Sequence, residues 1–271
     1  LGAGTLTIDD AVITISGNVD FTTLLDLNIV SVNDVTFIVP TGSSLTILAE
    51  DASGLTITGD GLVTVMGVED TLNVNLSNVM TSAGDTGTVI AHVDTSDGAD
   101  LDLLPDTVVL AAAARLGKAQ VMVDGGGTLD VTNVPVNRLQ ATWDHDASGA
   151  TPNLTVMATF NVAAATTLVV TAAQGDDRSV TGAGTTNVQN IGIYAGTNVM
   201  SLAGVVTSMV NIAVDTSVTL NSADNLGAAG VGRVTTIAPT ATLTAAGSVV
   251  NGQYITSSMA TIAGTNGRLV I

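Results

Sequence analysis

The sequence predicts an all-β protein, built either as an elongated β-solenoid or as a stack of sandwich-like β-units. Short blocks of β-branched residues recur roughly every ten residues and end at Gly, Asn, Asp or Ser. Only 2% of the chain is aromatic although 46% is hydrophobic, so the core has to consist of Val, Leu, Ile and Ala. Because bulky rings normally fill the wide centre of a globular domain, their scarcity favours a thin, layered body.

Individual strands can be assigned to these blocks, and their frequency leaves little room for helices. One segment has two interpretations: PDTVVLAAAARLGKAQ, from Pro105, is either a helix capped by Asp106 or a strand that begins with Thr-Val-Val-Leu. The blocks that predict strands begin at Thr5, Val12, Val35, Leu45, Leu55, Leu72, Thr167, Ser217 and Ala241.

The chain also repeats itself. The stretch Leu45–Val65 aligns with Leu168–Val188 without a gap. Four related phrases at nearly even steps indicate structural units stacked along an axis. Each phrase is Gly-x-Gly followed by a short β block, and they begin at Gly2, Gly59, Gly125 and Gly182.

The two aligned stretches read LTILAEDASGLTITGDGLVTV and LVVTAAQGDDRSVTGAGTTNV. They resemble the Thr/Gly/Ala-rich repeats of very large secreted bacterial proteins, a group that includes surface-layer, adhesin-like and RTX-associated proteins. This resemblance, over about a sixth of the chain, implies an extracellular, repetitive and often calcium-dependent structural protein. The GGxGxDx nonapeptide of RTX calcium rolls is missing, so the ion site of that family does not carry over.

The charge balance excludes several classes of partner. Acidic residues outnumber basic ones by 24 to 6, which gives a net charge of −18. Such a chain repels nucleic acid and anionic lipid, and its long uncharged runs are too rich in Thr, Asn, Pro and Gly for membrane spans. With no Cys and two His, disulfides are excluded and a transition-metal site is not expected.

The acidic residues are unevenly distributed. All but two of them precede residue 179, and in 179–271 Asp215 and Asp224 are balanced by Arg233 and Arg268. We therefore divide the chain into an acidic β-repeat region, 1–146, and a low-charge β-repeat region, 147–271. A neutral, Thr- and Asn-coated surface is one interpretation of the second region. The other, which we favour, is that a neighbouring subunit covers it from about residue 179.

The densest group of carboxylates is the segment DTSDGADLD. Ca²⁺ takes six to eight oxygen ligands, and Asp residues on Gly-containing loops supply them readily. The spacing differs from that of an EF-hand loop, and a solvated acidic loop is the competing interpretation. The predicted calcium ligands are Asp94, Asp97, Asp100 and Asp102.

Catalytic patterns are weak. In WDHDASG, Asp144 and Asp146 flank His145, but in a strand the two carboxylates would face away from the histidine. His92 is the only other histidine, and the sequence contains neither a GxSxG elbow nor a helix after its Gly-x-Gly phrases. Sugar-cleaving sites need paired carboxylates with aromatic platforms, or a base with Arg or Lys. Basic and aromatic residues are scarce here, so we expect no enzyme.

Threonine pairs such as Thr5/Thr7, Thr56/Thr58 and Thr242/Thr244 suggest an ice-binding surface, although Thr is also a common residue of exposed strands. Taken together, the sequence predicts a secreted, cell-surface structural protein that binds copies of itself in a filament or surface layer, with Ca²⁺ as its cofactor. The first alternative is a monomeric adhesin or ice-binding module, with cell-surface polysaccharide as its partner. A polysaccharide-acting β-helix enzyme comes third.

Overall fold

The computed structural model describes residues 5–23, 26–29, 34–82, 84–96, 107–143, 154–195, 198–228, 232–250, 253–257 and 268–270. The protein is mostly β, with 45% strand and 9% helix, and large parallel sheets dominate it. The prediction of an all-β protein is therefore confirmed.

The strands are short, and the helices are single turns between them. The strands are β1 (Thr5–Ile8), β2 (Val12–Thr14), β3 (Asn18–Asp20), β4 (Asp26–Ile29), β5 (Thr36–Ile38), β6 (Ser44–Leu48), β7 (Thr56–Thr58), β8 (Leu62–Met66), β9 (Thr88–Asp94), β10 (Thr107–Val109), β11 (Gln120–Asp124), β12 (Thr128–Asp130), β13 (Gln140–Trp143), β14 (Leu154–Met157), β15 (Thr159–Val162), β16 (Thr167–Thr171), β17 (Val180–Gln189), β18 (Val205–Val214), β19 (Val218–Thr219), β20 (Arg233–Ile237), β21 (Thr242–Thr244), β22 (Tyr254–Ser257) and β23 (Arg268–Val270). The helices are α1 (Ala49–Ala52), α2 (Ala172–Gly175), α3 (Ile191–Tyr194) and α4 (Gly247–Val250), with a 3₁₀ turn at Val136–Arg138.

Strands from successive passes of the chain lie side by side. In the 13-stranded sheet the order β3, β6, β8, β9, β11, β15, β17, β18, β20, β22 follows the sequence. A second run, β10, β12 and β16, joins this sheet at β17, where the register shifts between Gly182 and Thr185. Every strand pair among the described residues is parallel except β13–β14. Because parallel strands need a crossover between them, each rung requires the chain to pass around once more.

Alternation along each strand places aliphatic side chains inside and polar ones outside. In β6, Leu45 and Ile47 are fully buried, whereas the residues beside them are half-buried on the opposite face. One continuous cluster of Val, Leu, Ile and Ala runs through the molecule, and it extends across the boundary predicted at residue 146. Aromatic packing is limited to places such as the edge-to-face contact of Phe21 with Phe37, at 6.0 Å. The prediction of an aliphatic core is confirmed.

The two aligned stretches have closely similar structures. The first consists of β6, α1, β7, the turn Gly59-Asp-Gly and β8. The second consists of β16, α2 and β17, a single strand whose register shifts between Gly182 and Thr185, and the helices α1 and α2 occupy equivalent places. The pairing also matches, because Phe37 lies opposite Ile57 in one copy and Phe160 lies opposite Val180 in the other. The correspondence reaches further than the sequence alignment, to residues 35–65 and 158–188. The predicted repeat is confirmed as a unit that carries its own strand register.

The structure corrects the prediction for the block at Leu72 and decides between the two interpretations of the segment from Pro105. The block at Leu72 is not a strand; its residues form turns, with one isolated bridge between Asn75 and Arg115. The Asn75 side chain accepts hydrogen bonds from the main chain and hydroxyl of Ser77, at 3.2 and 2.7 Å, which curls the chain there. In the segment with two interpretations, the strand is right: Thr107–Val109 forms β10, and the described residues after it form turns instead of a helix.

Short acidic and amide side chains shape the corners between strands. Asp20 and Asp130 each accept hydrogen bonds from the threonine two residues later, at 2.6–2.9 Å, and the residue between them is buried. These hydrogen bonds hold the charged form and thereby lower the pKa of Asp20. A glutamate side chain is too long for this local turn, which explains why nearly all the acidic residues are Asp.

Candidate functional site

Of the predicted calcium ligands, only Asp94 falls within the part of the chain that the structure describes; Asp97, Asp100 and Asp102 lie outside it. Asp94 ends β9 and lies opposite Asp124 at the end of β11. Its Oδ1 accepts the main-chain N–H of Ser96 at 2.9 Å, and its own N–H donates to Glu69 Oε2 at 3.0 Å. Acidic residues from three passes of the chain, Glu69, Asp94 and Asp124, therefore lie at neighbouring strand ends here.

The acidic segment occupies a corner that is much longer than its neighbour. Residues 95–106 connect β9 to β10, whereas residues 125–127 connect β11 to β12 in the next pass. Both strand pairs are in register, so the two connections start and end at equivalent places. The additional residues of the first connection carry most of the predicted ligands, and an insertion of this kind is where surface chemistry is easily accommodated.

The surroundings of Glu69 at this corner disfavour the charged form of its carboxyl group. Burial raises the pKa of the half-buried Glu69 carboxyl, and the nearby charges of Asp70 and Asp94 raise it further. Among the described residues, no group of three or more His, Cys, Asp or Glu is arranged to hold a metal ion. Calcium binding stays a prediction, because three of the four proposed ligands lie outside those residues.

Other acidic residues serve the fold. Asp85 and Asp224 are each 5% exposed, and each accepts two main-chain N–H groups. Asp85 binds Gly59 at 2.6 Å and Ser82 at 2.9 Å. Asp224 binds Met200 at 2.8 Å and Asn221 at 2.6 Å. Each carboxylate therefore joins its own turn to the preceding pass of the chain. Both turns read Ser or Asn, two residues, then Asp, a signal that the sequence analysis missed.

Four of the six basic side chains donate to main-chain carbonyl groups. Arg178 is 1% exposed and donates to the carbonyls of Leu139 at 3.0 Å and Ala158 at 2.6 Å. Burial lowers its pKa to about 10. The others bind carbonyls in the same way: Arg233 to Leu226 and Val205, Lys118 to Gly87, and Arg138 to Ala112. These cations hold the chain in place, which leaves their donors committed to the fold.

Of the two histidines considered as catalytic candidates, only His92 lies among the described residues. His92 lies half-buried in β9, opposite Met122 of β11 on the same outward side of the sheet. Asp144, His145 and Asp146 lie outside the described residues. The structure therefore gives no geometry for the His145 cluster, and the expectation that the chain is not an enzyme stays a prediction.

The low-charge region presents an uncharged sheet surface, which we call the neutral face. It consists of the outward-facing side chains of β17, β18, β20 and β22, four neighbouring strands in parallel register. Hydrogen bonds link side chains along it, from Asn211 Nδ2 to Asn187 Oδ1 at 2.8 Å and between the hydroxyls of Thr236 and Thr256 at 3.3 Å. The neutral face comprises Thr185, Asn187, Met209, Asn211, Ala213, Val234, Thr236, Tyr254 and Thr256.

Large apolar side chains are exposed on and beside this face. Tyr254 is 62% exposed and Met209 46%, and Val206, in the same strand as Met209, is 53% exposed. Two more exposed apolar residues, Ile193 at 71% and Val199 at 59%, lie in or after α3, away from the neutral face. Most of the large apolar side chains exposed in the described part of the chain thus belong to the region without net charge, although it is the shorter part.

Threonines also align in a row on the outward side of the sheet. Thr107, Thr128, Thr167 and Thr185 lie opposite one another in four neighbouring strands. The pairs singled out from the sequence lie in other strands, and Thr56/Thr58 and Thr242/Thr244 are half-buried. Sequence reasoning missed the row because it depends on the number of residues in each pass of the chain, and local spacing does not reveal that number.

Searches against protein-family models, curated proteins and solved structures find no match for this chain. None of the described helices has the length and apolar character needed to cross a membrane.

Proposed function

We propose that this protein is a structural protein of the cell surface that assembles with copies of itself through residues 179–271. The observation that carries the proposal is the neutral face, with Met209 and Tyr254 exposed on a chain whose net charge is −18. Exposed apolar side chains on an uncharged sheet mark an interaction surface more readily than a solvated one.

We further infer that the body is a β-solenoid. Sandwich-like units are built from antiparallel sheets, whereas all but one of the strand pairs between described residues are parallel. Strands that follow the chain order in one sheet are what a coil repeated along an axis produces. A body of this kind is elongated, offers long lateral faces and suits a scaffold.

Charge explains why assembly would use the low-charge region. The first 178 residues hold 22 acids and 4 bases, so two copies that approach through that part repel each other. In residues 179–271 the charges balance, and Asp224 and Arg233 are both buried. Added salt screens the repulsion between the acidic parts while leaving apolar contacts intact, and it should therefore promote assembly.

The proposal has a direct test in solution. Sedimentation velocity of the full chain over a hundredfold range of concentration, in low and in moderate salt, should show species that grow with concentration and grow further with salt. A single monomeric species under every condition would contradict self-assembly. It would favour the binding-module alternative instead.

We also propose that the protein is secreted and that Ca²⁺ binds Asp94, Asp97, Asp100 and Asp102. The resemblance to repeats of secreted surface proteins supports both statements, and the accumulation of carboxylates at the long corner after β9 supports the second. A D97N/D100N variant should lose any calcium-dependent rise in melting temperature. A D9N/D10N variant, which removes the same charge from another site, should keep it; equal behaviour of the two would reject the site.

A monomeric adhesin or ice-binding module is the second candidate, favoured by the row of Thr107, Thr128, Thr167 and Thr185. Hydroxyls repeated at the spacing of the strands, about 4.8 Å, offer a regular array to water or a saccharide. A monodisperse protein that lowers the freezing point of water or binds cell-surface polysaccharide would support it. A polysaccharide-acting enzyme comes third and requires turnover that is lost on replacing His145 or one carboxylate.

A further inference from the structure

We propose that the neutral face packs against the same face of a second copy, sheet against sheet. This inference rests on the proposed function and makes it specific, because it names the surface and its occupant. The site is the sheet formed by β17, β18, β20 and β22, with Met209 and Tyr254 as its apolar anchors.

The face is regular enough to pack against its own copy. Its strands are in continuous register, so outward side chains lie in rows, one of which runs Asn187, Asn211, Val234 and Tyr254. The hydrogen bond between Asn187 and Asn211 fixes two of these side chains along the row. Rows of this kind allow the side chains of two facing sheets to interdigitate, as they do where identical sheets pack in dry interfaces.

Electrostatics selects a second copy as the occupant. The neutral face carries no ionisable acid or base apart from the Tyr254 phenol, so it offers nothing to a charged ligand. Arg178 and Arg233 are buried and bind main-chain carbonyls, and Lys118 and Arg138 are half-buried and do the same, so the chain offers little exposed positive charge to the acids of another molecule. Two neutral faces can meet without like-charge repulsion, and each supplies the apolar side chains that the other needs.

The size of the face predicts the strength of the contact. Four strands about 4.8 Å apart, each contributing a length of about five residues, give roughly 300 Å² per copy. A stable dimer usually needs about 800 Å² per partner. The contact should therefore be weak alone and depend on concentration. Because a face that packs against its own copy joins two chains and is then occupied, this contact by itself gives dimers, and a filament or layer requires a further contact elsewhere on the chain.

The other exposed apolar residues of this region serve as a comparison. Ile193 in α3 is more exposed than either anchor, but it belongs to a single helical turn between β17 and β18 and not to the flat sheet. A charge at Ile193 should leave sheet packing unchanged. A charge at Met209 would be buried without a partner in the interface and should oppose it.

The experiment compares the double variant M209D/Y254D with I193D. Both changes are made in the full chain, and association is measured by sedimentation velocity. We expect the wild type and I193D to associate at the same concentrations. M209D/Y254D should need about a hundredfold more protein, since unpaired charges buried in an interface are strongly unfavourable. Far-UV circular dichroism and the melting temperature check that all variants fold.

The outcomes separate the two proposals. If the wild type never associates, the proposed function fails and this inference fails with it. If the wild type associates and M209D/Y254D does so equally well, or if I193D alone prevents association, the neutral face is not the contact and the proposed function stands.

A second measurement does not depend on disruptive variants. The chain has no cysteine, so a single N211C or I193C carries one spin label per copy. Because packed sheets lie about 10 Å apart, labels at N211C should show strong interaction between copies in the assembled protein. Labels at I193C should not. The reverse pattern would overturn the inference.

Discussion

Residues 35–65 and 158–188 have the same backbone structure but carry different side chains on their surfaces. Their strands, helices and pairing registers correspond residue by residue. Even the close contacts correspond: Gly59 lies against the main chain of Val39, and Gly182 against that of Val162. The two copies share inward-facing apolar positions and glycines at turns, and these features fix the strand register.

The two copies differ in charge and in the capping of their helices. The first copy carries Glu50 and Asp51 in α1, whose first turn has no side-chain cap. The second copy has a capping box in α2, in which Thr171 and Gln174 each bind the other's main-chain N–H. At the position of the buried Leu55, the second copy has the buried Arg178. The same backbone therefore accommodates different charges, because residues 35–65 hold three acids and no base and residues 158–188 hold two acids and one buried base.

The strongest way to break the shared backbone is at its glycines. Gly182→Ala should lower the free energy of unfolding by about 3 kcal/mol or more, because φ is +118° and a Cβ would overlap the carbonyl of Val162. Gly59→Ala, at φ +112°, should cost a similar amount. Gly17→Ala provides the control: φ is +74°, but no heavy atom lies within 4 Å of the added carbon, so only about 1 kcal/mol is expected. Urea denaturation measures all three, and equal costs at Gly17 and Gly182 would contradict the role of the close approach.

Replacing Arg178 tests the largest internal difference. Arg178→Ala removes a buried side chain and takes the Arg178 donors away from the carbonyls of Gln174 and Ala158, so stability should fall by about 3 kcal/mol. Arg178→Leu, which restores the residue of the first copy, should cost less because it fills the space. Arg138→Ala removes a half-buried arginine that also binds a carbonyl and should cost below about 1 kcal/mol. A loss at Arg138 as large as that at Arg178 would show that burial does not set the effect.

The first copy has a further stabilising contact, the hydrogen bond from the main-chain N–H of Gly59 to the buried carboxylate of Asp85. Asp85→Asn should cost about 2 kcal/mol, because an amide offers one acceptor where the carboxylate accepts N–H groups from both Gly59 and Ser82. Asp60→Asn, next to Gly59, keeps the acceptor for Thr86 at an exposed site and should change stability little. The two variants are compared by chemical denaturation. An unchanged midpoint for Asp85→Asn would rule out this stabilising contact.

The smallest effect is expected after the second copy, at Tyr194. Its hydroxyl donates to Asp176 Oδ2 at 2.6 Å, and this bond raises the pKa of Tyr194 to about 12. The pKa is above that of the unfolded chain, near 10, so the stabilisation is present below pH 10 and is lost as the pH rises towards 12. Absorbance titration should show one tyrosine ionising near pH 12 in the wild type and at lower pH in Asp176→Asn. Identical titrations of the two proteins would show that the bond does not form.

Local features of the fold could be predicted from the sequence, because strands, glycine turns and the duplicated stretch are written in short patterns. Long-range features could not. Asn187 and Asn211 meet because one pass of the chain between them has a particular length, and that length varies along the protein. Arg178 follows two aspartates in the sequence, yet it is buried. Its alignment with Leu55 was a signal of burial that the sequence analysis did not use. The block at Leu72 alternates like a strand, yet the Asn75 side chain competes for the main chain and turns it.

The candidate site likewise has features that could be predicted from the sequence and features that could not. The neutral character of residues 179–271 is a matter of composition and was predicted, whereas the neutral face depends on register and exposure and was not. The predicted calcium ligands cluster in the sequence, and the one that the structure describes, Asp94, is engaged in a turn and faces Asp124. Composition thus indicates which region matters, and only the sheet indicates which side chains act together.

Electron microscopy of the purified full chain tests the central claim most directly, with calcium and with chelator at equal protein concentration. The account predicts ordered filaments or sheets in which copies meet through the low-charge region, and fewer or shorter assemblies in chelator if the acidic corner contributes. Dispersed single particles with calcium and with chelator would contradict the account.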